Sequence, residues 1–304
     1  MNEVVMSFPV YILSKLQGCS MRPLAPEALG GAHALWQRDV RLLPAFEPCR
    51  NEVYEGYATS GGPGCGAVFI CDGVGSSLDA AHALHAAGAL PVWTSVLAVS
   101  QQSGRGQMRR QWVSPAGNIY AALRFPAASN YPDSLSSLVA GYVFARAFEM
   151  CGIDVRMKWP NDLLLDDCKM AGILLEDRNG ALLVGIGINV AHFPRADCLR
   201  EGAAVPACGL AARGFDFAPF ELWRQLVDRA FFCYRNEVLR FSEDGLISRL
   251  EAYLAWVGRV VMIHGSDLGS CPGRLMGLSH DGALRVLLSG REQVLHSCSL
   301  SPIS

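Results

Sequence analysis

The sequence predicts an α+β protein that ends in a small all-β module, and three observations carry the prediction. Between residues 67 and 256, short apolar runs of strand character mix with amphipathic helical patterns. From Gly258 the pattern changes to short strands separated by turn dipeptides. Before residue 67, Ser60-Gly61-Gly62-Pro63-Gly64 is a strong breaker cluster. The expected organisation is an N-terminal segment of unknown role (1–62), a central region (63–256) and a C-terminal module (257–304).

Residues 1–62 are mixed in character and specify no fold. Beyond them, Ala67–Ile70 reads as a strand, Asp79–Ala87 as a helix of small residues and Val92–Val99 as a second strand. Ser134–Cys151 is the clearest helix: Leu135, Leu138, Val139, Tyr142 and Val143 form one apolar stripe, Ser134 suits an N-cap and Gly152 follows the end. Strands are expected at Val155–Trp159, Asp162–Leu165, Lys169–Glu176 and Leu182–Ile188, then helices at Pro219–Phe241 and Leu246–Trp256. In the module, Val260–Ile263, Gly273–Leu278, Leu284–Leu288 and Val294–His296 read as strands, with Asp281-Gly282 and Ser289-Gly290 as turns.

Composition excludes several classes. With 304 residues and a net charge of −2, the chain has no global basic field, so nucleic acid is not an expected partner. The 11 cysteines form no CxxC pair and no zinc spacing, which suits reduced thiols and a cytoplasmic location. No apolar run reaches the ~18 residues of a bilayer span, and no membrane association is expected.

Three stretches carry chemistry. In Gln101–Trp112, Gly104 and Gly106 flank Arg105 and permit φ > 0; successive N–H groups plus Arg105, Arg109 and Arg110 suit an anion, although a solvated basic loop has the same composition. The second stretch holds two of the chain's three lysines, Lys158 and Lys169; the other 23 basic residues are arginine, and the two types are not interchangeable. Trp159-Pro160 ends a strand there, and Asp166-Asp167 suits a two-residue hairpin turn. That register sets Leu164 opposite Lys169 and Asp162 diagonal to it, ~7–8 Å away, so that carboxylate and ammonium flank a bound polar group or metal-bridged phosphate. The third is Gly185-Ile186-Gly187-Ile188-Asn189, where glycines mark close approach by a ligand or, more simply, tight strand packing. Ser76-Ser77 suits an N-cap. His82 and His85, without an acidic or thiol partner in view, read as surface or packing residues.

Taken in order, the Gly-Arg-Gly loop with Trp112-Val113-Ser114-Pro115, Lys158-Trp159-Pro160-Asn161-Asp162, Lys169-Met170-Ala171-Gly172-Ile173-Leu174-Leu175-Glu176 and Gly-Ile-Gly-Ile-Asn resemble biotin protein ligase across roughly residues 66–190. The last module resembles that family's SH3-like β-barrel; residues 1–62 carry no resemblance and no DNA-binding arm. The resemblance implies a class II aminoacyl-tRNA synthetase-like mixed sheet backed by helices in the catalytic domain. It implies that biotin and ATP, with Mg²⁺, give biotinyl-5′-AMP, and that the biotinyl group passes to a lysine of a biotin carboxyl carrier protein. It places Ser76, Ser77, Gln101, Gly104, Arg105, Gly106, Gln107, Lys169 and Gly172 around biotin. Arg105, Trp112, Asn161, Asp162 and Asn189 fall around ATP and Mg²⁺, and Lys169, Arg105 and Asp162 at the chemistry. A homodimer is a further expectation, since an exposed sheet edge invites strand addition.

The chain departs from the family pattern at Gln107, Arg109 and Leu78, lacks a tryptophan in 191–215 and has no arginine in Ser299-Leu300-Ser301. Activity with altered affinity for biotin or ATP is the expectation. The competing readings are a lipoate or octanoate transfer enzyme on the same fold, and a protein that binds biotin or its adenylate without turnover.

Overall fold

A computed structural model describes residues 9–60, 66–107, 110–127, 131–195, 205–265 and 269–303. The chain divides into two compact units, one of residues 1–127, 174–193 and 209–228, the other of 128–173, 194–208 and 229–304.

In the first unit, the segment without a legible fold forms β1 (Val10–Leu16), α1 (Pro26–Ala32), α2 (Ala34–Leu42), β2 (Phe46–Arg50) and β3 (Tyr54–Thr59). β1 pairs in parallel with β4 (Val68–Cys71), Ile12 opposite Ile70, and antiparallel with β3, which pairs with β2. Ile12, Leu13, Leu29 and Trp36 are fully buried, so these residues belong to the core. The outer strand β2 carries Pro48, which offers no N–H for further pairing.

After β4 come α3 (Ser77–Ala86) and β5 (Ser95–Ala98), parallel to β4, and then β6 (Ile119–Phe125), antiparallel to β5. β6 was not anticipated: six of its seven residues are buried, so it lacks the alternation that marks a half-exposed strand.

The helix expected from Ser134 is α4 (Ser136–Glu149), preceded by a 3₁₀ turn at Asp133–Leu135. Ser134 is therefore no cap. It lies inside that turn, where Leu135 N–H bonds Pro132 O (2.9 Å), and the N-cap position falls to Leu135, whose side chain makes no cap bond. β7 (Arg156–Lys158), β8 (Asp162–Leu165), β9 (Cys168–Arg178) and β10 (Ala181–Ile188) follow. The first half of β9 pairs with β8 in the second unit, and β10 pairs with β6 along its full length in the first. Strand order in this large mixed sheet is β2-β3-β1-β4-β5-β6-β10-β9-β8-β7.

α5 (Pro219–Asn236) stops five residues short of the expected Phe241, and a 3₁₀ turn at Val238–Arg240 intervenes before α6 (Glu243–Tyr253). In the first unit, the start of α5 is capped from the N-terminal segment: Asp39, on α2, accepts from Phe220 N (2.8 Å) and Glu221 N (2.9 Å).

The C-terminal module is an antiparallel five-stranded sheet of β11 (Val260–Gly265), β12 (Gly269–Leu278), β13 (Leu284–Leu288), β14 (Arg291–Leu295) and β15 (Ser299–Pro302), ordered β14-β13-β12-β11-β15. Four of the strands were expected. β15 was not, because a four-residue strand paired only with β11 leaves little pattern. Among the described residues no helix is long and apolar enough to cross a membrane.

Candidate active site

The lysine stretch is a buried charge cluster in the second unit. Asp166 (φ 48°) and Asp167 (φ 58°) both take the left-handed conformation that a two-residue hairpin demands, and Leu164 stands opposite Lys169 as the sequence predicts. A register shift between Leu163 and Leu164 then sets Asp162 opposite Gly172. The side chains correct the expected geometry. Asp162 and Lys169 do not stand apart: Lys169 Nζ contacts Asp162 Oδ1 at 2.6 Å, and Lys158 Nζ contacts Oδ2 at 3.2 Å. The side chains of Asp162 and Lys158 are each 10% exposed, that of Lys169 30%. Burial pushes the Asp162 carboxyl up, but Lys169 and then Lys158 outweigh it and hold the group below the usual carboxylate range. Two ammonium groups on one carboxylate leave a net positive charge, and Lys169 is its open side.

The backbone fixes that arrangement. Lys169 N donates to Pro206 O (2.6 Å) and Lys169 O accepts from Cys208 N (3.0 Å), so β9 is also paired with residues 206–208. Asn161 exchanges bonds with Ile173: its Nδ2 donates to Ile173 O (2.7 Å) while Ile173 N donates to its carbonyl (2.8 Å). The Asn161 side chain thus holds β9.

The Gly-Arg-Gly loop lies in the first unit. Gln102 N donates to Val74 O (2.9 Å) and Ser103 N to Gly75 O (2.8 Å), and the loop then doubles back with Trp112 N on Gly104 O (2.8 Å) and Gly106 N on Arg110 O (2.8 Å). Gln107 is exposed; Met108 and Arg109 lie outside the described residues. Neither Gly104 nor Gly106 takes a positive φ, contrary to the expected use of glycine. At Gly104 the reason is contact: a Cβ there would stand 2.4 Å from Trp112 O and 2.6 Å from Ser114 Oγ.

The residues of the same unit that were expected around biotin hold one another. Ser76 caps α3, its Oγ accepting from Leu78 N at 3.3 Å. Ser77 N donates to Gln101 Oε1 (2.8 Å), and Gln101 Nε2 donates to Ser114 Oγ (2.8 Å). The glycine strand β10 makes room for side chains: a Cβ on Gly187 would lie 2.6 Å from Trp112 Cε2, and one on Gly185 2.9 Å from Leu78 Cδ1. Leu78 is buried in the core with Val74, Leu84 and Tyr120. Asn189 is buried at the end of β10, its carbonyl accepting from Leu210 N (3.0 Å).

Two residues outside the expected set contact Arg105, and a third stands behind one of them. The Arg105 guanidinium donates to Asp79 Oδ1 (2.7 Å) and Glu176 Oε1 (3.3 Å), while His82 Nε2 bonds Glu176 Oε2 (2.8 Å). His82 therefore has the carboxylate partner that the sequence did not reveal. The i, i+3 spacing of Asp79 and His82 was the available signal, but Glu176 is 71 residues from Arg105. Lys158, the second partner of Asp162, was also left out of the expected site.

Comparison with known proteins agrees with these motifs. The pattern of the biotin/lipoate A/B protein ligase family matches residues 86–192. The biotin–[acetyl-CoA-carboxylase] ligase of Paracoccus denitrificans is 33% identical over 213 residues, which are 67% of this chain and 88% of that protein. The chain belongs to the biotin protein ligase family. The bifunctional ligase/repressor BirA of Escherichia coli is 40% identical over 112 residues, only 34% of this chain and 35% of that protein. Among solved structures, biotin protein ligase from Aquifex aeolicus in complex with biotin and ATP matches with a TM-score of 0.57 at 25% identity, covering 70% of this chain and 91% of that one. Membership makes this chain a ligase.

Proposed function

We propose that this chain activates biotin with ATP and transfers the biotinyl group to a lysine of a biotin carboxyl carrier protein. The biotin carboxylate attacks the α-phosphorus, an oxygen–phosphorus bond forms as pyrophosphate leaves, and biotinyl-5′-AMP results. The carrier lysine, as free amine, then attacks the acyl carbon; an amide forms, AMP leaves and the amine proton is lost to solvent.

The observation that carries this reading is the positive Lys158–Asp162–Lys169 cluster. Bringing a carboxylate to a polyphosphate concentrates negative charge, and preorganised cations offset it best where water is scarce. Lys169 supplies the accessible ammonium, Lys158 the buried one, and Asp162 holds both. Arg105, in the first unit, supplies a third cation, and Gln107 on the same loop is exposed. Ser76, Ser77 and Gln101 form the framework of the biotin pocket, Trp112 packs on β10, and Asn161 and Asn189 shape the backbone near the nucleotide.

Mg²⁺ enters only as the companion of the ATP phosphates, where it would offset their charge. Asp162 already carries two ammonium partners, and the described residues contain no group of three His, Cys, Asp or Glu side chains able to hold a metal. Among the described residues there is no dedicated magnesium site.

Pyrophosphate release by purified protein with ATP and biotin, run beside octanoate and lipoate, tests the first half-reaction. Biotin-dependent release is expected. Release only with octanoate or lipoate would favour acyl transfer of that kind, and binding without release a non-catalytic biotin protein.

A further inference from the structure

Arg105 sits on a glycine-flanked loop, where an arginine side chain would ordinarily sample many rotamers. Here it is pinned. Asp79 receives a bond from one terminal nitrogen and Glu176 a bond from the other, at 2.7 and 3.3 Å. The two carboxylates come from opposite sides in sequence, Asp79 on α3 and Glu176 on β9, and all three residues belong to the first unit. His82, one turn beyond Asp79 on α3, bonds the outer oxygen of Glu176 at 2.8 Å and fixes that carboxylate in turn. The chain of contacts α3–Arg105–β9–α3 is thus closed.

A guanidinium carries five N–H donors. Two are engaged by Asp79 and Glu176 among the described residues, which leaves three on the rest of the fork for an incoming anion. Burial works against the guanidinium charge, but Asp79 and then Glu176 outweigh it, so the group stays fully cationic. An arginine ordered in advance loses less freedom on binding than one ordered by the ligand.

We propose that Asp79 and Glu176, with His82 behind Glu176, are positioning residues that pre-set Arg105 to receive the adenylate phosphate. This rests on the adenylation reading above, and the test separates the two. Affinity for a non-hydrolysable biotinyl-adenylate analogue is measured by calorimetry for wild type, Asp79→Ala, Glu176→Ala, Glu176→Gln, Arg105→Ala and the double variant Arg105→Ala/Glu176→Ala, with thermal melts alongside.

Asp79→Ala and Glu176→Ala should each weaken binding about tenfold by misplacing the fork. Glu176→Gln, which keeps an acceptor, should recover most of the loss. In the Arg105→Ala background the Glu176 substitution should cost nothing further, a coupling that a purely structural role would not produce. Wild-type affinity in both single alanine variants, tighter binding in either, or losses that add in full to Arg105→Ala would overturn the proposal. Analogue binding by wild type without pyrophosphate release would defeat the adenylation reading while leaving the Arg105 coupling to stand on its own data. No analogue binding by wild type would defeat both.

Discussion

Replacing Lys169 with alanine separates what the lysine cluster does for the fold from what it does for the chemistry. Lys169 Nζ lies 2.6 Å from Asp162 Oδ1; at an effective dielectric constant of about 20, their gross attraction is about 6 kcal/mol. Most of that is offset by desolvation of both groups, and Lys158 still satisfies the carboxylate at 3.2 Å. The net loss of stability should therefore be about 1–2 kcal/mol rather than the 3–5 kcal/mol expected for an orphaned buried charge. The chemical step should lose more, because the cluster falls from net positive to neutral. Removing one preorganised charge-stabilising group costs about 10²–10³ in rate, or roughly 3–4 kcal/mol. Pyrophosphate release and a thermal melt, measured on one preparation, read both effects. Release within about threefold of wild type, which is under 1 kcal/mol, would refute the assigned role. A collapse of the fold would refute the claim that Lys158 alone can satisfy Asp162.

Further outcomes follow from single contacts. Gly187→Ala drives a methyl group to 2.6 Å from the Trp112 ring; it should cost about 1–3 kcal/mol and shift tryptophan fluorescence, and an unchanged melt and spectrum would contradict the packing described. Arg105→Ala should let the adenylate escape, read as a shorter retention time of labelled intermediate; wild-type retention would remove Arg105 from that role. At Asp39, burial raises the carboxyl to about 7 against the lowering bonds from Phe220 and Glu221. The folded value lies above the unfolded one, so the folded state holds more protons between about 4 and 7, and this group's contribution to stability falls as pH rises through that window. Asp39→Asn should flatten that slope in urea melts at several pH values; an unchanged slope would show that Asp39 stays ionised throughout.

What the sequence made legible was local. Asp166-Asp167 between two apolar runs specified a hairpin turn, and the turn fixed Leu164 opposite Lys169. The contact of Asp162 with Lys169 was not legible, because backbone register places the two residues only as diagonal neighbours and the long lysine side chain closes the gap. The Arg105 partners were hidden for a related reason: Glu176 reaches it from another strand, through a fold that no local pattern encodes. Residues 9–60 were the largest gap. β1 is joined to the rest of the sheet by parallel pairing to β4, 58 residues on, and such long-range pairing has no turn signature. Ser76, by contrast, was correctly read as a cap from residue type and position alone.

Two-step transfer through an adenylate is measured directly by mass spectrometry of a biotin carboxyl carrier fragment after incubation with the purified protein, biotin and ATP. One biotinyl group on one lysine is expected, dependent on ATP and absent with Lys169→Ala. Pyrophosphate release without carrier modification would contradict the second step, and modification by Lys169→Ala at the wild-type rate would contradict the site.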